Sequence, residues 1–337
     1  MAITRSFANG NEVVDWTPEL LVLPNKHGTV QQLGLFQEEG VVGSVVEFEE
    51  ITTTEGVLVD VVRGQRATVG TDQTSKIRAW AIPHFNHDDF ILPGDIKMKR
   101  AYGSPDEMDS LAAARVRKMQ RIQAIHAATH ELARCKLITT GDVYAPNGTT
   151  AALNFYTEFG VSRKEIDFDL DTGSTKVIAK GEEVLGYAED NAQGASFNGY
   201  IGLASPEFFD KLITHASVET AYAYYKDGDQ QPLRQRLGLV GTQRTFYFGG
   251  ITYIEVRGSI AGTRLIPAND CYFVPTGSDI FKTFFGGANK FSLINTVGEK
   301  MYLFEKMIDD SSYELASETN FLNSISRPQM VIRGYTG

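Results

Sequence analysis

SPDEMDSLAAARVRKMQRIQAIHAATHELARCKLIT, residues 104–139, reads as one uninterrupted helix. Ser104 suits an N-cap, Pro105 the first helical position and Glu107 the far end of a capping box. Asp106, Glu107 and Asp109 crowd the first turns, while Arg134 and Lys136 stand near the end, as the helix dipole favours. No Gly or Pro interrupts before Gly141. The spacing predicts about 35 residues of helix, roughly 50 Å long. Met108, Leu111, Arg115, Met119, Ile122, Ile125 or His126, Thr129, Leu132 and Leu137 fall near one narrow stripe that polar residues break. A helix of this kind has one buried seam and much exposed surface. It is far longer than a usual globular helix and reads as a strut.

Upstream, IPHFNHDDFILPGDI (82–96) reads as a Pro-punctuated connection to the base of that helix. Before it come strand signals: Val45, Val46, Phe48 and Ile51; Val57, Val59, Val61 and Val62; then Ile77, Ala79 and Ala81 alternating with Arg78, Trp80 and Ile82. Thr52 to Gly56 reads as a turn and Gly64 to Ser75 as a longer tip. A hairpin with so few large apolar residues is marginal alone, so it requires a neighbour to pack on. Residues 1–40 show no clean period and read as an extended arm with one or two helical turns.

Downstream, Asp142–Ala145 and Ala152–Tyr156 flank Pro146-Asn147-Gly148, the pattern of a second hairpin. The acidic, Gly-containing stretch 162–183 marks a domain boundary. Beyond it, Tyr200–Leu203 is a strand, and Ser205-Pro206-Glu207 starts a capped helix running to about His215. Phe246–Phe248, Ile251–Val256, Cys271–Val274, Met301–Phe304, Tyr313–Ala316 and Met330–Ile332 supply further strands, and Phe281–Phe285 an apolar patch. The class is α+β.

The chain has 337 residues, enough for two domains. Its 42 acidic against 32 basic residues, a net charge of −10, argue against a protein that grips nucleic acid. Neither a secretory leader nor a membrane span is expected from the pattern of apolar residues. Cys135 and Cys271 read as buried thiols. Two histidine pairs raise the alternative of a metal-dependent hydrolase: His84 with His87, near Asp88 and Asp89, and His126 with His130, one helical turn apart. The second resembles half of a zinc-protease helix but lacks the Glu beside its first His. The preferred reading places His84 and His87 in a polar loop, and His126 and His130 beside a packed seam with satisfied ring nitrogens. Nothing in the sequence has the spacing of a nucleophile elbow, phosphate loop or dinucleotide fingerprint, so no catalytic residue, cofactor or metal is assigned. Acidic clusters such as Glu47, Glu49 and Glu50 read as solvated strand faces. The basic group Arg115, Arg117, Lys118 and Arg121, with Lys97, Lys99 and Arg100 upstream, reads as pairing with acids of a neighbouring subunit, the hairpin's among them.

The C-terminal quarter narrows the choice. Asn295, Thr296, Gly298 and Tyr302 stand in an F-x-x-x-x-x-F-x-x-x-N-T-x-G-x-x-x-Y segment, and Arg327, Pro328 and Val331 follow Thr319-Asn320-Phe321-Leu322. In this respect the chain resembles the lambda-type major capsid proteins of tailed bacteriophages, which have the Hong Kong 97-type fold. Phe321 stands where that family has Pro, which should alter a bend but not the fold. Ile82-Pro83-His84-Phe85, the Gly141–Gly160 region and Phe248-Gly249-Gly250-Ile251-Thr252-Tyr253 share the resemblance. It implies an N-arm (1–40), an extended loop (41–90), a peripheral domain (91–160 and 285–323) with a spine helix (104–139), and an axial domain (161–284 and 324–337). It further implies hexamers and pentamers forming an icosahedral shell in the virion, assembled in the bacterial cytoplasm. Expected partners are other copies of the chain, a scaffold, a portal, a decoration protein, and packaged double-stranded DNA without sequence-specific binding. The assembly contacts expected are Arg66, Lys76, Arg78, Arg115, Arg117, Lys118, Arg121, Glu47 and Glu49.

Overall fold

The computed structural model describes residues 3–6, 12–22, 28–52, 74–96, 110–147, 153–192, 194–224, 243–308 and 311–336. The spine helix spans Leu111–Thr140, 30 residues, and starts later than the sequence suggests. Ser110 is its cap: the backbone there is extended (φ −104°, ψ 154°) and the side chain accepts the Ala113 N–H at 3.1 Å. That extended residue breaks any continuous helix from Ser104, and the Ser104–Asp109 signals lie outside the described residues. The helix ends at Gly141, left-handed at φ 78°, whose N–H donates to the Leu137 carbonyl.

Burial along this helix is not one seam. Its first half buries Ala114, Met119, Ile122 and Gln123, but Glu131–Cys135 and Leu137–Thr139 are all buried. The reason is tertiary: strand Ser312–Ile325 crosses one side, and the short helix Thr29–Gln32 closes another. There the Glu131 carboxylate accepts the Val30 N–H at 2.8 Å and the Gln31 N–H at 3.2 Å.

Two sheets carry the rest. In the first, the 14-residue strand Ser312–Ile325 is central. Tyr302–Ile308 and His84–Ile91 pair antiparallel with its first part, on opposite edges, and Phe281–Phe285 with its last part. Glu12–Asp15 pairs with Tyr302–Ile308, Ile3–Ser6 pairs with Glu12–Asp15, and Gln37–Gly40 runs parallel to Phe281–Phe285. Thus 82–96 is not merely a connection, and the N-terminal forty residues contribute strands besides short helices. The long strand exceeds its apolar signal at Tyr313–Ala316 because Ser317, Glu318, Thr319, Asn320, Asn323 and Ser324 are buried polar residues, several of them hydrogen-bonded beneath the helix.

The second sheet runs in the order Glu165–Asp167, Ile332–Tyr335, Asp270–Thr276, Gly199–Ala204, Ile251–Glu255, Thr245–Phe248. Gly199–Ala204 and Ile251–Glu255 are parallel. Helices Val177–Asp190, Pro206–Thr214 and Ala216–Tyr224 accompany it, and Ser205 caps the second, as its sequence predicts. The first of these helices occupies part of the presumed boundary 162–183. Val177, Gly181, Val184 and Ala188 form its buried row, while acidic residues on its outer surface mask that row in composition. Asp142 and Asn154 do pair, but Phe155–Phe159 is a helix rather than the second arm of a long hairpin.

Finally, Val45–Thr52 and Thr74–Ala81 form a two-stranded antiparallel hairpin, Val45 opposite Ala81 and Thr52 opposite Thr74. The Val57–Val62 strand and the tip read from the sequence lie outside the described residues.

Candidate assembly interface

The pleat gives the hairpin two unlike faces. One carries Val46, Phe48, Arg78 and Trp80. Trp80 lies against Phe48 (ring centroids 4.4 Å) and edge-on to Phe155 (5.0 Å), and Phe48 meets Phe284 at 5.2 Å. The Arg78 guanidinium, 8 % exposed, donates to the Glu158 carboxylate at 2.5 Å and carbonyl at 2.8 Å, and lies over the Phe159 ring. This face ties the hairpin to its own subunit. The other carries Val45, Glu47, Glu49, Ile77, Ala79 and Ala81, all exposed, Ile77 to 70 %. Lys76 belongs to the anchored side by parity but lies nearer the tip and is exposed.

The basic residues of the spine helix divide as well. Arg115 donates to the nearly buried Glu305 carboxylate at 2.6 Å and lies over the Trp16 ring. Lys118 pairs with Asp89 at 2.8 Å. Arg117 and Arg121 are on the exposed side, with Val116 and Gln120. Of the basic residues assigned to subunit contacts, Arg78, Arg115 and Lys118 therefore have acidic partners in their own chain, and Arg66 lies outside the described residues.

Beneath the helix the histidines serve packing. His126 Nε2 is 2.9 Å from Ser317 Oγ, and His130 Nε2 is 3.1 Å from Thr319 Oγ1, its ring 4.1 Å from that of Phe321. Burial, assisted by His87, lowers the His126 pKa to about 4, and burial drives that of His130 well down, so both are neutral. The expectation of satisfied nitrogens fails in one atom: His130 Nδ1 is buried without a hydrogen-bond partner among the described residues. His84 and His87 lie on strand His84–Ile91 rather than in a loop, three apart and so on opposite faces, with His84 Nδ1 2.6 Å from Asn320 Oδ1. Among the described residues, no three of His, Cys, Asp and Glu gather as metal ligands.

The sequence does not reveal the buried polar centre between helix and sheet. Arg134, 2 % exposed, donates to Glu38 at 2.7 Å and lies over Phe36, and Lys300 reaches the same carboxylate at 2.8 Å. Burial pushes Glu38 up, but hydrogen bonds from Lys300 and Arg134 hold its carboxyl below the ordinary range. Burial raises Glu131 despite the N–H groups of Val30 and Gln31. These partners are about a hundred residues or more away in sequence, beyond the reach of local pattern. Also missed are the exposed apolar residues Phe291, Ile294 and Val297 on a loop beside the sheet.

Solved phage capsids share this fold. The capsid of cyanophage P-SCSP1u matches with a TM-score of 0.54 at 13 % identity, covering 99 % of this chain and 92 % of that one. The bacteriophage PhiM1 mature capsid matches at 0.53 and 13 % identity, covering 94 % and 89 %. This is the Hong Kong 97-type capsid fold. The model of the Phage major capsid protein E family matches residues 13–336. The major capsid protein of Pseudomonas phage KPP10 is 41 % identical over 345 residues, 98 % of either chain, and that of Salmonella phage Felix O1 is 25 % identical over 98 % of this chain and 97 % of that one. The chain belongs to this family of phage major capsid proteins.

Proposed function

We propose that copies of this chain close into hexamers and pentamers that tile an icosahedral head shell around double-stranded DNA, with no catalytic role. The observation that carries this reading is the hairpin, anchored on one face and open on the other. Contacts of one subunit's patch with a different patch on the next close into rings when the rotation allows. Residues 1–40 act as the N-arm, 41–90 as the extended loop, 91–160 and 285–323 as the peripheral domain, and 161–284 with 324–337 as the axial domain. The arm and loop are rooted in the peripheral sheet through Glu12–Asp15, Gln37–Gly40 and His84–Ile91. Assembly takes place in the host cytoplasm, with a scaffold, a portal and decoration proteins as further partners. The acidic chain encloses DNA without reading its sequence.

The test is expression of the chain, alone and with its neighbouring head genes, followed by light scattering and negative-stain electron microscopy. Shells, tubes or capsomer rings are expected. A monodisperse small oligomer under both conditions contradicts the reading.

A further inference from the structure

We propose that one internal water molecule is bound at the root of the N-arm, held by Trp16 Nε1, Arg115 Nε and Glu305 Oε2, and that it locks the arm to the spine helix and the sheet. The site stands whether or not the chain forms shells, so its test is separate from that of the function above.

Three buried polar atoms mark the place. The indole N–H of Trp16, the Nε–H of Arg115 and the Oε2 oxygen of Glu305 have no hydrogen-bond partner among the described residues. They belong to one cluster: Arg115 Nη2 donates to Glu305 Oε1 at 2.6 Å, and its guanidinium carbon lies 4.9 Å from the centre of the Trp16 ring. Arginine and a carboxylate commonly pair through two parallel bonds, but a single bond joins these two, so Nε and Oε2 stay open to a third group. Buried groups of this kind are costly unless protein or ordered water pairs with them, most of all the Glu305 carboxylate, 4 % exposed.

Valence selects the occupant. Indole and guanidinium N–H groups only donate, whereas an ionised carboxylate oxygen only accepts. The occupant therefore accepts two hydrogen bonds and donates at least one. Water does both, and three partners are its usual number in a protein interior. A bare anion has no proton for Glu305, and a metal cation would face two N–H donors. Three elements meet at this water: Trp16 follows strand Glu12–Asp15 and donates its backbone N–H to the Leu303 carbonyl at 2.9 Å, Arg115 is on the spine helix, and Glu305 lies opposite Val14 on strand Tyr302–Ile308. Peeling the arm away removes one of the water's partners and loosens its hold on the other two.

A structure of the full chain, as crystal or as particle, at a resolution that shows ordered water tests this. A peak within hydrogen-bond distance of all three atoms is expected. No peak, a peak that misses any of the three, or Arg115 Nε bonded directly to Glu305 Oε2 overturns the site. Trp16→Phe keeps a ring for Arg115 but removes the indole N–H, so the peak should vanish or move toward Arg115 and Glu305; a peak unchanged in position overturns the part given to Trp16. Arg115→Lys, which keeps a cation for Glu305 without the Nε–H, makes the same comparison if the Phe variant does not fold. Trypsin reads the lock. In either variant cleavage after Arg5, on strand Ile3–Ser6, should run about fivefold faster than in the wild type, the factor that one lost hydrogen bond is worth. Equal rates overturn the lock.

Discussion

Arg78 and Trp80 hold the hairpin to its subunit, and their side chains say how firmly. Arg78, itself nearly buried, combines a charge-assisted hydrogen bond to the partly exposed Glu158, a carbonyl contact and a ring contact. Arg78→Ala should cost about 2–3 kcal/mol, part of it from leaving Glu158 unpaired. Thermal unfolding and limited proteolysis of the hairpin measure this. His126 gives a pH dependence. Its folded pKa of about 4 lies below the ordinary 6.5, so the unfolded chain takes up the proton first as pH falls. Stability is complete above 6.5 and is lost progressively down to about 4, with roughly 2 kcal/mol gone by pH 5. His126→Gln should flatten that part of the Tm–pH curve; a curve unchanged in shape refutes the assignment.

At the scale of elements, the C-terminus of the spine helix is set by Gly141. A Cβ there would lie 2.4 Å from the Tyr156 ring, besides requiring left-handed backbone at φ 78°. Gly160, at φ 65°, has open space around its Cβ position. Gly160→Ala should therefore cost about 1 kcal/mol, and Gly141→Ala more, by roughly 1–3 kcal/mol. Equal losses in chemical denaturation would contradict the packing argument. The hairpin's described strands follow from alternation at Val45–Ile51 and Ile77–Ala81, but Arg78, read from the sequence as a subunit contact, is held by Glu158 of its own chain. The spine helix was legible in its composition but not in its start, since Ser104 and Ser110 offer competing caps and local pattern does not choose. His84–Ile91 was hidden because polar His87 and Asp89 face inward and apolar Phe90 faces outward, which breaks the alternation. The tail of Ser312–Ile325 was hidden because Ser317, Thr319 and Asn323 are buried through partners supplied by distant elements. In the candidate interface, the acidic and basic residue types were readable, but which arginines are already paired is a tertiary fact.

At the scale of the molecule, an open hairpin face with Ile77 in water is a cost that only a partner removes. Replacing residues 53–73 with a two-residue Asn-Gly turn should leave the subunit's Tm nearly unchanged while abolishing regular shells by electron microscopy. Normal particles from that variant would show that the loop is not required for assembly. The most direct measurement is a cryo-electron microscopy reconstruction of the assembled particle, resolved well enough to trace Val45–Thr52 and Thr74–Ala81. The density should run from Trp80, packed on its own subunit, outward over the adjacent one. A hairpin lying wholly against its own subunit, with no neighbouring density on Glu47, Glu49 or Ile77, would contradict the account.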